Sequence, residues 1–117
     1  MARLLVVDDD LTIVHALRDV FEKLGHQVAT CVDGLDAIAM LDAQVYDAVI
    51  ADWQMGAVDG IDVLEVVRQK CPFARRILIT ASPTEPEVRD AVRMGVASVL
   101  LEKPWFLPDI RASVRGL

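Results

Sequence analysis

The sequence predicts an α/β fold: a doubly wound parallel β-sheet of five strands in the order 2-1-3-4-5, with helices on both faces. Short, continuous apolar runs alternate with amphipathic stretches five times along the 117 residues. Continuous apolar runs are typical of strands that a sheet buries on both faces. Alternation of strands with helices favours parallel pairing through right-handed crossovers. The order 2-1-3-4-5 is common for a doubly wound sheet of this size.

The apolar runs give the five predicted strands, and two of these runs end at acidic residues. The run at residues 4–7 is followed by three aspartates, and the run at residues 48–51 is followed by Asp52. The other predicted strands lie at residues 28–32, 77–79 and 99–101.

The stretches between the strands carry apolar residues at helical spacing. The first predicted helix covers residues 11–24 and stops at Gly25, since glycine commonly follows a helix end. Three further helices are predicted from the positions Ala37, Ile38, Leu41 and Val45, then Ile61, Leu64 and Val67, then Val88, Ala91 and Val92. The last predicted helix begins around Pro108 and runs to the end of the chain at Leu117.

Composition and charge indicate one folded domain, residues 1–117, in the cytoplasm. Hydrophobic residues make up 54% of the chain, which is enough to form a buried core. The net charge of −6 argues against direct nucleic-acid binding and against attachment to anionic lipid. No apolar run reaches the roughly 18 residues that span a bilayer, and the amino terminus does not read as a signal peptide. Cys31 and Cys71 match no CxxC spacing, so we expect two free thiols.

Polar residues follow four of the predicted strands. Ligands of doubly wound sheets bind beyond the carboxyl ends of the strands, where the strand order reverses. The residues at these ends are Asp8, Asp9 and Asp10 after strand one, Asp52 after strand three, Thr80 after strand four and Lys103 after strand five. We therefore expect a pocket that holds at least three carboxylates, a hydroxyl and an ammonium group. In the alternative interpretation, the acids only cap helices, as Asp10 before Leu11 could do.

This set of groups favours metal-assisted phosphoryl chemistry. Carboxylates packed closely repel one another, which raises their pKa values unless a cation is present. Oxygen ligands suit Mg²⁺, with Mn²⁺ as a substitute. A carboxylate beside such an ion can attack phosphorus and form an acyl phosphate. Lys103 would neutralise charge on the transferring oxygens, and Thr80 could donate a hydrogen bond to one of them.

Over essentially its whole length, the sequence resembles the response-regulator receiver domains of two-component signal transduction, which have a flavodoxin-like fold. The matching segments are Val6-Val7-Asp8-Asp9, Asp52-Trp53-Gln54-Met55 with Asp59-Gly60, Thr80-Ala81 and Lys103-Pro104. The resemblance implies that Asp52 accepts a phosphoryl group. It implies that Asp9 binds the metal directly, Asp8 mostly through water, and Gln54 through its backbone carbonyl. It also implies that Thr80 and Lys103 contact the phosphoryl group, and that the Lys103-Pro104 bond is often cis.

The function implied by this resemblance is a phosphorylation-dependent switch. A histidine kinase or a phosphotransfer protein would supply the phosphoryl group, and a downstream partner or output domain would receive the signal. Such a domain catalyses its own phosphotransfer and dephosphorylation and is not a turnover enzyme. Whether the domain is a monomer or forms a homodimer stays open. The chain is expected to be either a stand-alone domain or the N-terminal part of a longer regulator.

Two other functions are alternatives. A pseudo-receiver would act as an interaction module without phosphorylation. An aspartyl phosphatase would need a second acid two residues after its nucleophile, and residue 54 is glutamine.

Two positions depart from the family pattern. Gly56 stands where most receivers have proline, so the loop is expected to be looser. Leu100 stands where many receivers have tyrosine or phenylalanine, three residues before the lysine. Leucine offers no hydroxyl and no aromatic face. The usual coupling between Thr80 and the surface formed by the fourth helix, fifth strand and fifth helix is therefore expected to differ.

Overall fold

The computed structural model describes residues 1–117 and contains one sheet of five parallel strands. The strands are β1 (Arg3–Val7), β2 (Gln27–Cys31), β3 (Ala48–Asp52), β4 (Arg75–Thr80) and β5 (Val99–Glu102). Their order is β2-β1-β3-β4-β5, and every neighbouring pair is parallel. The predicted fold class and strand order are confirmed.

Five helices connect or follow the strands. They are α1 (Leu11–Lys23), α2 (Gly34–Ala43), α3 (Gly60–Lys70), α4 (Pro86–Arg93) and α5 (Leu107–Ser113). The first three begin after an aspartate whose carboxylate accepts a hydrogen bond from a backbone N–H of the first turn; these aspartates are Asp10, Asp33 and Asp59. Helices α4 and α5 instead have proline in their first turn, where a missing N–H costs nothing. None of the five helices has the length and apolar character that a membrane span requires.

Alternate residues of the central strands point to opposite faces of the sheet, and each face has its own apolar core. On one face, Leu5, Val49 and Leu78 pack with buried residues of α2, α3 and α4. On the other face, Leu4 and Ile50 pack with buried residues of α1 and α5, among them Phe21 and Ile110. The sheet is thus covered by helices on both faces, and the carboxyl ends of its strands form one edge of the domain.

Helix α2 ends earlier than its apolar pattern predicts. Its last residue is Ala43, and Gln44 already has extended backbone angles. Val45, which the apolar pattern places in the helix, is 68% exposed, whereas Tyr46 is buried. The chain leaves the helix because the aromatic ring of Tyr46 occupies the core beside β3.

The predicted length of the last helix is also wrong. Helix α5 ends at Ser113 and does not continue to Leu117. The guanidinium of Arg75 donates hydrogen bonds of 3.0 Å and 2.8 Å to the backbone carbonyls of Ser113 and Arg115. Gly116 then turns the chain with a positive φ, and Leu117 packs against the core under α1 and α5.

Candidate functional site

Three carboxylates meet at the carboxyl ends of β1 and β3, where the strand order reverses. Asp8 and Asp9 follow β1, and Asp52 is the last residue of β3. Carboxylate oxygens of these three residues all lie within 4.8 Å of one another. Asp8 and Asp52 are buried, while Asp9 is exposed. The structure therefore brings together the acidic cluster that the sequence predicts.

Lys103 supplies the positive charge in this cluster. It follows β5 directly, and its backbone N–H donates to the carbonyl of Thr80 on the neighbouring strand, at 2.8 Å. Its Nζ donates to Asp8 Oδ2 at 2.8 Å and to Asp52 Oδ1 at 2.9 Å. The peptide bond between Lys103 and Pro104 is cis. One ammonium group therefore holds carboxylates from two strands.

Burial and charge shift two pKa values at the site. Burial raises the pKa of Asp52; the hydrogen bond from Lys103 opposes this rise, and the charge of Asp8 adds to it. For Lys103, burial alone would lower the pKa, but hydrogen bonds to Asp8 and Asp52 outweigh burial and raise it. The lysine is thus held in its charged form, while the charge on Asp52 is not fully compensated by the protein. Such a site favours binding of a further cation.

Thr80 is the last residue of β4 and lies beside the acidic cluster. Asp52 pairs with Ile79 across the sheet, so Thr80 lies one residue further along the adjacent strand. Its hydroxyl oxygen is buried and accepts a hydrogen bond of 2.9 Å from the backbone N–H of Ser82. The hydroxyl proton remains available to a second acceptor, because the hydroxyl can donate and accept at once.

Gln54 lies in the loop between β3 and α3, with its side chain exposed. Its backbone carbonyl accepts no hydrogen bond from the protein. A carbonyl without a partner, two residues after Asp52, is a suitable further oxygen donor for a hard cation.

Two features of the site were missed by the sequence interpretation. The backbone N–H of Asp10 donates to Asp8 Oδ1 at 2.9 Å, so both oxygens of the buried Asp8 are bonded. Asp10 also caps α1 through its own carboxylate, as the alternative interpretation expected.

The second missed feature is that Gly60 packs against the backbone of Asp52. The Asp59-Gly60 pair was visible in the sequence, but a contact between backbones leaves no signal in residue type beyond the glycine itself.

A doubly wound sheet with carboxylates, a hydroxyl and a lysine at its switch point is the arrangement that the sequence analysis expects of a receiver domain. The chain belongs to the response-regulator receiver family: the family model described as "Response regulator receiver domain" matches residues 4–115.

Curated relatives and solved structures agree with this assignment. The chain is 33% identical over 109 residues to the alginate biosynthesis transcriptional regulatory protein AlgB of Pseudomonas putida, covering 93% of this chain and 24% of AlgB. It is 32% identical over 115 residues to the transcriptional regulatory protein TcrA of Mycobacterium tuberculosis, covering 98% of this chain and 45% of TcrA. The chain thus spans less than half of either relative. The chemotaxis protein CheY4 of Vibrio cholerae superposes with a TM-score of 0.88 at 26% identity, covering 98% of this chain and 97% of that one.

Proposed function

We propose that this domain is a phosphorylation-dependent switch that accepts a phosphoryl group on Asp52 from a histidine kinase or a phosphotransfer protein. The observation that carries the proposal is the position of the Asp52 carboxylate. It lies at the end of β3, within the acidic cluster, and Lys103 holds one of its oxygens at 2.9 Å. The other oxygen has no hydrogen-bond partner in the protein and is available as a nucleophile.

In the proposed transfer, the free oxygen of Asp52 attacks the phosphorus of a phosphohistidine. The new O–P bond forms as the N–P bond breaks, and the electron pair of that bond stays with the imidazole nitrogen. Lys103 can pass from Asp52 to a phosphoryl oxygen while it stays bonded to the buried Asp8. The Thr80 hydroxyl can donate a hydrogen bond to another phosphoryl oxygen while it still accepts the hydrogen bond from the backbone N–H of Ser82. Water later attacks the phosphorus of the acyl phosphate; the bond between Asp52 and phosphorus breaks, its electron pair returns to the carboxylate, and inorganic phosphate leaves. The domain would thus catalyse its own phosphotransfer and dephosphorylation without being a turnover enzyme.

The donor set fits Mg²⁺, with Mn²⁺ as a substitute. Asp8, Asp9 and Asp52 offer carboxylate oxygens within 4.8 Å of one another, and Gln54 offers an unpaired backbone carbonyl. We propose that Asp9 and Asp52 bind the ion directly, Gln54 through its carbonyl and Asp8 mostly through water. When bound, the ion would supply positive charge that neutralises the oxygens of the transferring group.

The output is proposed to be a change in the contacts of the domain with a downstream effector or an attached output domain, in the cytoplasm; self-association into a homodimer is an alternative route. Two relatives are named as transcriptional regulatory proteins and are much longer than this chain. Leu100, at the usual aromatic position, is half-buried and packs against the core under α2, α3 and α4. Without a hydroxyl, it can respond to Thr80 only by a change in packing.

A second candidate function, a phosphorylation-independent interaction module, is favoured by one observation, the leucine at position 100. The intact set of Asp8, Asp9, Asp52, Thr80 and Lys103 favours the switch instead.

Intact mass spectrometry after incubation with acetyl phosphate and Mg²⁺ tests the two functions. The wild type is expected to gain the mass of one phosphoryl group, and the gain is expected to disappear with EDTA and in Asp52→Ala. Asp10→Asn is the matched control, because it removes an adjacent charge but keeps an oxygen that can cap α1. Its adduct is expected to persist. If the wild type gains no mass even with a phosphorylated kinase as donor, the interaction module is the better interpretation.

A further inference from the structure

Helix α3 begins directly against the backbone of the acceptor residue. A Cβ atom built on Gly60, its first residue, would lie 2.7 Å from the carbonyl carbon of Asp52 and 3.1 Å from the Cα of Trp53. It would lie closer still to the carbonyl oxygen of Asp52. Real Cβ atoms essentially never come within 3.0 Å of another heavy atom, and here the neighbours are backbone atoms that cannot rotate away. A side chain at position 60 would therefore force α3 and the end of β3 apart.

The need for glycine at this position comes from space and not from backbone conformation. The four glycines with positive φ are Gly25, Gly56, Gly95 and Gly116, so Gly60 has backbone angles that other residues adopt readily. Lack of a side chain allows its N–H to donate to the carbonyl of Trp53 at 2.8 Å.

The first turn of α3 is itself held firmly. Asp59 and Asp62 form a reciprocal capping box, with hydrogen bonds of 2.9 Å and 3.0 Å between the side chain of each and the backbone N–H of the other. On the opposite side, the N–H of Trp53 donates to the carbonyl of Ile79 on β4 at 3.0 Å. The backbone at Asp52 and Trp53 is thus fixed between a capped helix end and a neighbouring strand.

We infer that Gly60 is a positioning residue for Asp52: by carrying no side chain, it lets α3 contact the acceptor backbone and set the place of the carboxylate among Asp8, Asp9 and Lys103. The inference rests on the proposed function, since it concerns the acceptor of that transfer. Lys103 Nζ lies 2.9 Å from Asp52 Oδ1, so a shift of the end of β3 would change the length of this hydrogen bond directly. Displacement of a reacting group by about 1 Å can slow a reaction roughly 100-fold.

Gly34 provides a matched control. It is the first residue of α2, follows the capping residue Asp33, and is buried with a φ that is not positive. A Cβ on Gly34 would lie 2.5 Å from both Cγ1 and the carbonyl oxygen of Val58. Gly34→Ala therefore introduces a clash of the same kind at the start of a helix, but the clash falls on Val58, one residue before the capping residue Asp59, and not on the backbone of Asp52.

The test compares Gly60→Ala with Gly34→Ala in the full chain. Urea unfolding gives the stability of each variant, and acetyl phosphate kinetics give the rate at saturating donor, corrected for the folded fraction. Both variants are expected to lose stability, but only Gly60→Ala is expected to slow phosphorylation, by roughly 10- to 100-fold. Binding of Mn²⁺, measured by electron paramagnetic resonance, is expected to weaken only in Gly60→Ala. If both variants keep the wild-type rate and Mn²⁺ affinity, the inference is wrong and the proposed function stands.

Two further measurements cover the remaining outcomes. If the wild type accepts no phosphoryl group, the proposed function fails, and positioning is then read from the ¹³C resonance of the Asp52 carboxyl carbon. A shift no larger in Gly60→Ala than in Gly34→Ala would overturn the inference.

If Gly60→Ala does not fold, Asp59→Ala loosens the same helix end without a clash, and Asp33→Ala is its control on α2. Slower phosphorylation in Asp59→Ala alone supports the inference, and equal rates contradict it.

Discussion

Lys103, directly after β5, forms an ion pair with Asp52 at the end of β3, across the intervening strand β4, with 2.9 Å between Nζ and Oδ1. The same ammonium bonds Asp8, whose side chain is 1% exposed. The lysine is thus the only cation of the protein bonded to two buried carboxylates that repel each other. This arrangement makes the stability of the domain depend on the same lysine that is proposed to contact the phosphoryl group.

Lys103→Met is expected to lower the free energy of unfolding by about 3 kcal/mol at pH 7 in EDTA, because removal of one partner leaves buried carboxylates without a cation. Urea unfolding followed by circular dichroism measures the loss. Mg²⁺ is expected to restore part of the stability, since a ligand that binds only the folded state stabilises it. Lys70→Met is the matched control, because Lys70 pairs with an exposed carboxylate, Asp42, and should lose only about 0.5 kcal/mol. Equal losses in the two variants would contradict the prediction.

Trp53 should report cation binding at the acidic cluster. Its side chain is 8% exposed, and it follows Asp52 directly. In a Trp105→Phe background, Trp53 is the single remaining tryptophan of the two. Titration with Mg²⁺ is expected to change its fluorescence to a saturating value, and Asp9→Asn is expected to weaken the affinity at least about tenfold through loss of a ligand.

Asp10→Asn is the control for this titration, because the carboxylate of Asp10 is engaged in capping α1. Its affinity for Mg²⁺ is expected to fall much less. Equal weakening by Asp9→Asn and Asp10→Asn would mean that the cation responds to net charge and not to a defined set of ligands.

The sheet could be predicted from the sequence because its strands are runs of buried residues, and a parallel sheet leaves few polar interruptions in such runs. The acidic cluster followed from the fold, since the carboxyl ends of parallel strands converge at one edge. The end of α2 could not be read in the same way. Val45 and Tyr46 are both apolar, and only packing beside β3 decides that Tyr46 is buried while Val45 is exposed.

Other features depend on contacts between distant parts of the chain. Helix α5 ends where Arg75 donates hydrogen bonds to the carbonyls of Ser113 and Arg115, which lie 38 and 40 residues after Arg75 in the chain. No local pattern signals such a stop. The contact of Gly60 with Asp52 was equally hidden, because sequence patterns describe side chains and this contact is between backbones.

The thiol of Cys31 is expected to react slowly with alkylating reagents. Burial, followed by the charges of Asp36 and Asp33, raises its pKa from 9.0 to about 12. At pH 9 in a Cys71→Ser background, iodoacetamide is expected to label the folded chain roughly 100- to 1000-fold more slowly than the chain in urea, because only the thiolate reacts. Asp36→Asn removes one of the two charges and should accelerate labelling. Similar labelling rates in the folded and unfolded chains would contradict a raised pKa of Cys31 in the folded chain.

The same shift predicts a loss of stability in alkali. The folded chain keeps the proton of Cys31 at pH values where the unfolded chain, with a pKa near 9.0, has lost it. Stability from this group is therefore complete below pH 9 and is lost as the pH rises towards about 12. Cys31→Ser should show a smaller decrease in urea stability over this range, and an identical decrease would exclude Cys31 as the cause.

Arg76 joins two loops at the amino ends of β4 and β5, away from the acidic cluster. Its guanidinium donates to the carbonyls of Pro72 and Ala74 before β4, at 3.0 Å and 3.1 Å, and to those of Gly95 and Val96 before β5, at 3.1 Å and 3.0 Å. A lysine ammonium cannot span four carbonyls set around a planar fork. Arg76→Lys should therefore be nearly as destabilising as Arg76→Met.

We expect both Arg76 variants to lose about 2–3 kcal/mol in urea unfolding, since hydrogen bonds to charged groups contribute about 1.5–3 kcal/mol each and lysine or water replaces some of them. Arg68→Lys is the control, because Arg68 is exposed and donates to one carbonyl, that of Met94; its loss should stay within about 0.5 kcal/mol. Phosphorylation of the folded fraction should be unchanged in all three variants, because the loops lie at the opposite end of the strands from Asp52. A wild-type stability for Arg76→Lys would show that charge alone, and not the geometry of the guanidinium, joins the two loops.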